Sequence, residues 1–177
     1  MGRGIEHIAR RGFILGAALL LVGCGQPQLT GEISGGLAIS SVRVETSSLT
    51  KAVKGRPNAI TTAQLANDAT RVLRQRFAAQ SGAVQGDLVV DVKEVNLVAR
   101  GLSALAPVQS SSKVVLSVTE RGTGRVIVAP TEITAFSAQL RGSGIIGAAT
   151  APSVEKDYNA TLTGLANAVE KRLFGAP

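Results

Sequence analysis

Six stretches of periodic hydrophobicity limit what this 177-residue chain can fold into. Four of them alternate apolar and polar residues, as half-buried strands do: Leu37–Glu45, Asp87–Ala99, Lys113–Glu120 and Arg125–Gln139. The other two carry a single apolar stripe at helical spacing, behind the N-cap residues Thr61 and Ser153. The order β-α-β-β-β-α predicts an α+β fold, a two-layer sandwich in which a small, mostly antiparallel sheet carries both helices on one face.

Local signals add detail to three of these elements. Thr61 and Gln64 form a capping-box pattern at the start of the first helix. The alternation in the second strand changes phase at Lys93-Glu94, which predicts a β-bulge. Pro130 predicts that the fourth strand lies at an edge of the sheet or is interrupted, because proline has no N–H to donate to a ladder.

The first 24 residues are typical of an export signal. Arg3, Arg10 and Arg11 make a basic start, and the apolar run Phe13–Val22 is ten residues long, whereas a bilayer span needs about 20. The run ends in Leu21-Val22-Gly23-Cys24, which resembles the lipobox of bacterial lipoproteins. In that family the cysteine is diacylated on sulfur, the peptide before it is removed, and the new N-terminus is acylated too. The adjacent arginines also resemble part of a twin-arginine signal, so the export route stays open.

The lipoprotein resemblance implies a division of the chain and an address. Residues 1–23 are the signal peptide, residues 24–37 are the lipidated Cys24 and a flexible tether, and residues 38–177 are one periplasmic α+β domain. Three acyl chains exceed the two signals that stable anchoring requires. Gly25 stands where lipoproteins retained in the inner membrane usually have Asp, so the implied location is the periplasmic side of the outer membrane, with the inner membrane as the alternative. An ordinary signal peptide that happens to precede a cysteine is the other possibility.

The composition argues against several classes of function. The only His and the only Cys are His7 and Cys24, so the domain lacks a histidine base, a catalytic triad and a Cys/His zinc site. Gly142–Gly147 spells G-x-G-x-x-G, but the last helix starts only near Pro152 and no strand follows it, which argues against a nucleotide site. Loss of residues 1–23, with three Arg and one Glu, lowers the formal charge from +7 to +5. Few aromatics remain to stack on nucleic acid. We therefore predict a protein that is not an enzyme and uses no cofactor, metal, nucleotide or nucleic acid.

The expected strand directions bring three loops to one end of the domain. A β-α-β crossover makes the first two strands parallel, and the hairpins that follow alternate in direction. Loops 46–60, 100–112 and 141–152 then meet, the first of them basic and the other two apolar. Apolar patches rimmed by charge are typical of binding surfaces, although such loops can also pack back on the sheet. The predicted binding surface consists of Lys51, Lys54, Arg56, Leu102, Leu105, Val108, Ile145 and Ile146.

The lipobox, the short tether and the element order together resemble two families of envelope lipoproteins. These are the lipopolysaccharide-assembly lipoproteins and the auxiliary lipoproteins of lipid-transport ABC systems. The assembly family usually has Phe and then Arg soon after its Cys-Gly pair, and Gln26–Gly31 matches neither, so no binding residue is carried over. The resemblance implies an accessory protein that docks on an envelope assembly or transport complex. The alternative is direct binding of an anionic amphiphile, lipopolysaccharide or phospholipid, through Lys51, Lys54 and Arg56.

Overall fold

The computed structural model describes residues 36–99, 108–139 and 151–175. The elements are β1 (Leu37–Glu45), α1 (Thr62–Phe77), β2 (Val84–Asn96), β3 (Ser111–Glu120), β4 (Val126–Phe136) and α2 (Val154–Phe174). One four-stranded sheet and two helices follow in the predicted order, so the α+β fold class is confirmed. Neither helix in this part of the chain is long and apolar enough to cross a membrane.

The sheet has the strand order β1-β2-β3-β4, with β1 parallel to β2 and the other pairs antiparallel. The predicted bulge in β2 is present as a register shift between Val92 and Glu94. β4 is an edge strand, as Pro130 predicts, and its pairing with β3 shifts between Leu116 and Val118, opposite this proline. A further shift in β1, between Ile39 and Ser41, has no signal in the sequence.

The core lies between one face of the sheet and the two helices. Alternate residues of β2 and β3 face it, and so do the predicted stripes of α1 and α2. Members with 1% exposure or less include Leu65, Leu73, Leu88, Val90, Val92, Leu97, Val114, Leu116, Leu162, Leu165, Val169 and Leu173. Each leucine removed from water contributes about 1.5–3 kcal/mol, so burial of these stripes is what holds both helices on the sheet.

Both helices start at the residues that the sequence marks. The Thr61 hydroxyl accepts a hydrogen bond of 3.1 Å from the Gln64 N–H, and the Ser153 hydroxyl accepts one of 3.2 Å from the Lys156 N–H. α2 ends at Gly175, whose φ of 84° suits glycine. α1 follows β1 in the chain and α2 follows β4. The N-termini of both helices lie at the end of the domain where these two strands finish.

Candidate functional site

The sheet register defines the end of the domain at which the predicted loops meet. Asn96 at the end of β2 pairs with Ser111 at the start of β3, which pairs with Phe136 at the end of β4. β1, parallel to β2, ends on the same side. The connections that leave these strands, as far as the structure describes them, are residues 46–60, 97–99 with 108–110, and 137–139 with 151–153. We call this region the loop end.

Part of the basic connection, residues 46–60, is hydrogen-bonded to the end of β2 and to Leu97, beyond the end of β1. The Lys54 N–H donates to the Val95 carbonyl at 2.8 Å, and the Leu97 N–H donates to the Lys54 carbonyl at 3.0 Å. Gly55 adopts a φ of 88°, and a Cβ there would collide with the Leu97 carbonyl oxygen. Val53 is fully buried in the core. Residues 53–55 thus extend the sheet, which places the Lys54 side chain at the surface.

A buried ion pair ties this connection to α2. The Arg56 Nη1 lies 3.6 Å from the Asp157 Oδ2 and donates to the Pro152 carbonyl at 3.1 Å. Asp157 is 1% exposed and Arg56 is 6% exposed. A buried charge is costly unless an opposite charge and hydrogen bonds compensate it, so each of these residues requires the other.

Ser110 joins the β2–β3 connection to the same group. Its hydroxyl donates to the Asp157 Oδ2 at 2.8 Å and accepts a 3.0 Å hydrogen bond from the Val98 N–H. Both sides of the β2–β3 connection are thereby held to the first turn of α2. Ser110 has no exposed surface, so this Ser–Asp–Arg group is out of reach of a substrate and acts as an internal clamp.

An open apolar cleft lies beside this clamp, between the starts of the two helices. Its volume is about 380 Å³, and its lining is mostly apolar. It is lined by Pro57, Asn58, Ala59, Ile60, Gln64, Val154, Glu155 and Tyr158. The Asn58 side chain shapes one wall, because its Nδ2 donates to the Arg56 carbonyl at 2.7 Å and its Oδ1 accepts from the Ile60 N–H at 3.2 Å. This folds the 57–60 segment into a short, ordered rim.

Tyr158 forms the inner wall of the cleft with its ring buried. Burial raises the pKa of Tyr158 above its usual value, and the nearby Asp68 carboxylate raises it further. The phenol donates to the Asp68 Oδ2 at 3.3 Å. The hydroxyl is therefore neutral and already has a hydrogen-bond partner, so the cleft presents an apolar surface rather than an ionisable one.

The structure separates the predicted binding residues into three groups. Lys51 and Lys54 are exposed, although the Lys54 Nζ lies 3.9 Å from Glu94. Val108 is half-buried, and Arg56 is buried against Asp157. The expected basic surface of three residues is thus corrected to two, because Arg56 is used inside the domain. Cys24, Leu102, Leu105, Ile145 and Ile146 lie outside the described residues.

Sequence reasoning missed the residues that organise the loop end. Asp157 lies in the first turn of α2, where acidic residues are common because the helix dipole favours them, so its position does not indicate burial. Ser110 is the first of three consecutive serines where β3 begins. In the part of the chain that the structure describes, no group of three or more His, Cys, Asp or Glu side chains is placed to hold a metal ion.

The fold and the site define a small α+β domain with a clamped loop end. No protein-family model matches the chain, and no curated protein matches it significantly. Similar solved structures include protein XCC0632 from Xanthomonas campestris, of the family DUF330, with a TM-score of 0.40 and 13% identity over 74% of this chain and 78% of that one. A Caulobacter crescentus CB15 protein provisionally described as a lipoprotein has a TM-score of 0.35 and 13% identity, covering 74% and 87%.

A third similar structure is the hypothetical protein CT253 from Chlamydia trachomatis, with a TM-score of 0.33 and 14% identity, covering 78% of this chain and 90% of that one. All three likenesses are distant.

Proposed function

We propose that this chain is a lipid-anchored accessory lipoprotein of the bacterial envelope, without catalytic activity of its own, that docks on an assembly or transport complex through its loop end. The observation that carries the proposal is the cleft beside the Arg56–Asp157 clamp, an apolar concavity on a pre-ordered framework. Concave apolar pockets are where a partner's anchoring side chain is best desolvated. Because the surrounding segments are held in advance, binding loses little conformational entropy.

The anchor in this proposal is Cys24, in the outer membrane facing the periplasm. Its support is the short apolar run before the cysteine and the small Gly23 next to it. A chain held at the membrane by acyl groups needs no spanning helix of its own. The anchor and the docking surface are separate parts of the proposal and are tested separately.

Direct binding of an anionic amphiphile has less support at the same end. Lys51 is exposed, and the N-termini of both helices favour negative charge there. Of the three cations that this alternative needs, however, Arg56 is buried and Lys54 has Glu94 as a neighbour. Two exposed lysines, one of them beside Glu94, and an apolar cleft suit a protein partner better than a charged head group.

The lipid anchor predicts that fatty-acid label enters the wild-type protein and is absent from Cys24→Ser. The variant should also leave the membrane fraction, because no acyl chain remains to hold it. Metabolic labelling with an alkyne fatty acid, followed by fractionation, measures both results. Gln26→Ser, two residues away, serves as the matched control and should label normally. Normal labelling of Cys24→Ser, or its unchanged retention in the membrane, would remove the anchor from the proposal.

The docking proposal predicts crosslinks from the rim of the cleft but not from the opposite end of the helices. A photo-crosslinking amino acid at exposed Ala59 or Glu155 should capture an envelope protein in cells, whereas one at exposed Gln75 should not. Val154→Asp should lower the yield about tenfold or more, because a charge in an apolar pocket is poorly solvated. Lipid captured in place of protein would favour the amphiphile alternative, and equal capture from Gln75 would contradict docking at the loop end.

A further inference from the structure

A long groove runs between β1 and α1, on the side of the sheet away from β4. β1 is an edge strand, and among the described residues only β2 pairs with it. Two open cavities of about 620 and 450 Å³ lie along β1, and Ser41, Val42 and Arg74 line both. The larger cavity also reaches Asp87, Leu88 and Val89 on β2 and Thr119 on β3. From Ala38 to Val44 they follow the strand for about 20 Å at its usual rise per residue. We call this the β1–α1 groove.

The wall opposite β1 is one face of α1. Ala66, Thr70 and Arg74 follow one another at a spacing of four residues and line the groove, with Asn67 beside them. The apolar stripe of α1 points instead into the core. Ala66 and Thr70 carry small side chains, which leaves this part of the groove open beside the strand. A groove between an edge strand and a helix is a recurring site for an extended peptide.

Arg74 supplies the charge of the groove. Its Nη2 donates to the Val42 carbonyl at 3.4 Å, a long contact for a hydrogen bond. In the part of the chain that the structure describes, no carboxylate pairs with its guanidinium. A guanidinium at the surface gains more from a carboxylate than from a neutral carbonyl, because hydrogen bonds between charged groups are about twice as strong.

The acid that lines the groove is already neutralised. The Asp87 Oδ1 lies 2.8 Å from the Arg121 Nη2 and accepts a 2.6 Å hydrogen bond from the Ser41 hydroxyl. These hydrogen bonds, first that of Ser41 and then that of Arg121, lower the pKa of Asp87 below its usual value. Asp87 is thus ionised and paired with Arg121, which lies in the turn after β3. Arg74 therefore gives the groove a net positive charge.

We propose that the β1–α1 groove binds an extended peptide of a partner protein, which adds to β1 as a fifth strand and places an acidic side chain against Arg74. Main-chain hydrogen bonds to β1 provide affinity, and the carboxylate provides specificity by replacing the long Arg74–Val42 contact. The groove lies along β1 and α1 rather than at the cleft, so this surface goes beyond the proposed docking at the loop end. The length of the groove fits about six or seven residues.

Photo-crosslinking from both walls of the groove tests which molecule binds in it. The crosslinking residue replaces exposed Ser40 on β1 or exposed Asn67 on α1 of the full chain in cells, and mass spectrometry identifies the peptide that each one captures. The proposal requires that both positions capture the same segment of one partner and that this segment contains Asp or Glu. Capture of residues 25–35 of this chain, capture of a second copy of it, or no capture at all would overturn the proposal.

Charge reversal tests the role of Arg74. Arg74→Glu should lower the crosslink yield from Ser40 about tenfold or more, because like charges then face each other. Replacing the captured acidic residue with Arg should restore the yield. Arg71→Glu is the matched control, because Arg71 is exposed on the same helix, lies outside the groove and pairs with Asp68 instead. Crosslinks from Ala59 should not change, so failure here would not count against docking at the loop end.

Direct pairing with Arg74 would be contradicted if Arg74→Glu and Arg71→Glu lowered the crosslink yield equally. It would also be contradicted if the substitution in the partner did not restore the yield of Arg74→Glu. Thermal unfolding of each variant provides a check on folding. Arg74 is exposed, and among the described residues its side chain donates a hydrogen bond only to the Val42 carbonyl, so its replacement should leave the melting temperature within about one or two degrees of wild type.

Discussion

Arg56→Leu should destabilise the domain by about 3–5 kcal/mol, the typical loss when one member of a buried ion pair is removed. The Asp157 carboxylate would keep its hydrogen bond from Ser110 but lose the guanidinium beside it, at a position that is 1% exposed. The Pro152 carbonyl would lose its hydrogen bond as well. Because these contacts join three connections, the loop end should loosen first, and crosslinks from Ala59 should weaken in parallel.

Urea unfolding followed by circular dichroism measures this loss. Arg71→Leu is the matched control, since it removes an arginine from an exposed pair with Asp68 and should cost about 1 kcal/mol or less. The double variant Arg56→Leu/Asp157→Leu should recover a large part of the stability, because it removes the stranded charge together with its partner. A loss below about 1 kcal/mol for Arg56→Leu would mean that water reaches the pair and that it does not hold the loop end together.

Gly164→Ala should destabilise the domain by about 1–3 kcal/mol through overpacking, although alanine in a helix interior is ordinarily more favourable than glycine by about 1 kcal/mol. Gly164 lies in the middle of α2, where the chain leaving β4 crosses it. A Cβ would lie 2.8 Å from the Phe136 carbonyl carbon and closer still to its oxygen. The Ala138 N–H also donates to the Ala160 carbonyl at 2.9 Å, so the two backbones cannot separate without losing this bond.

The neighbouring Thr163→Ala is the control for helix propensity. Thr163 is exposed on α2, and its replacement should be neutral or slightly stabilising. Thermal and urea unfolding of both variants separate the steric effect at position 164 from the general preference of helices for alanine. If Gly164→Ala were as stable as Thr163→Ala, the close approach of β4 to α2 would be wrong.

The local features of the fold could be predicted because each depends on residues near one another in sequence. A strand that buries one face alternates, a helix that buries one face repeats every three to four residues, and both patterns are visible over about ten residues. The N-cap residues Thr61 and Ser153, the bulge at Lys93-Glu94 and the edge position of Pro130 follow from single side chains or from a change of phase. The residues that the two helices contribute to the core were predicted from the same patterns.

The organisation of the surface could not be predicted in this way. Lys51, Lys54 and Arg56 look equivalent along the chain, yet one is exposed, one lies near Glu94 and one is buried. The difference for Arg56 comes from Asp157, which is far away in sequence and approaches it only when α2 packs on the sheet. The β1–α1 groove depends in the same way on how α1 lies beside the edge strand.

By itself, the sequence determined the order and type of the elements, the face that each one buries and the segment around Cys24 that resembles a lipobox. Hydrophobic burial sets these features, and it acts on patterns within a single element. Only the tertiary structure decided which charges are compensated, where a cleft stays open and which strand edge remains available. Coulomb interactions and backbone contacts set these features, and they depend on distances between residues that the chain brings together only after it has folded.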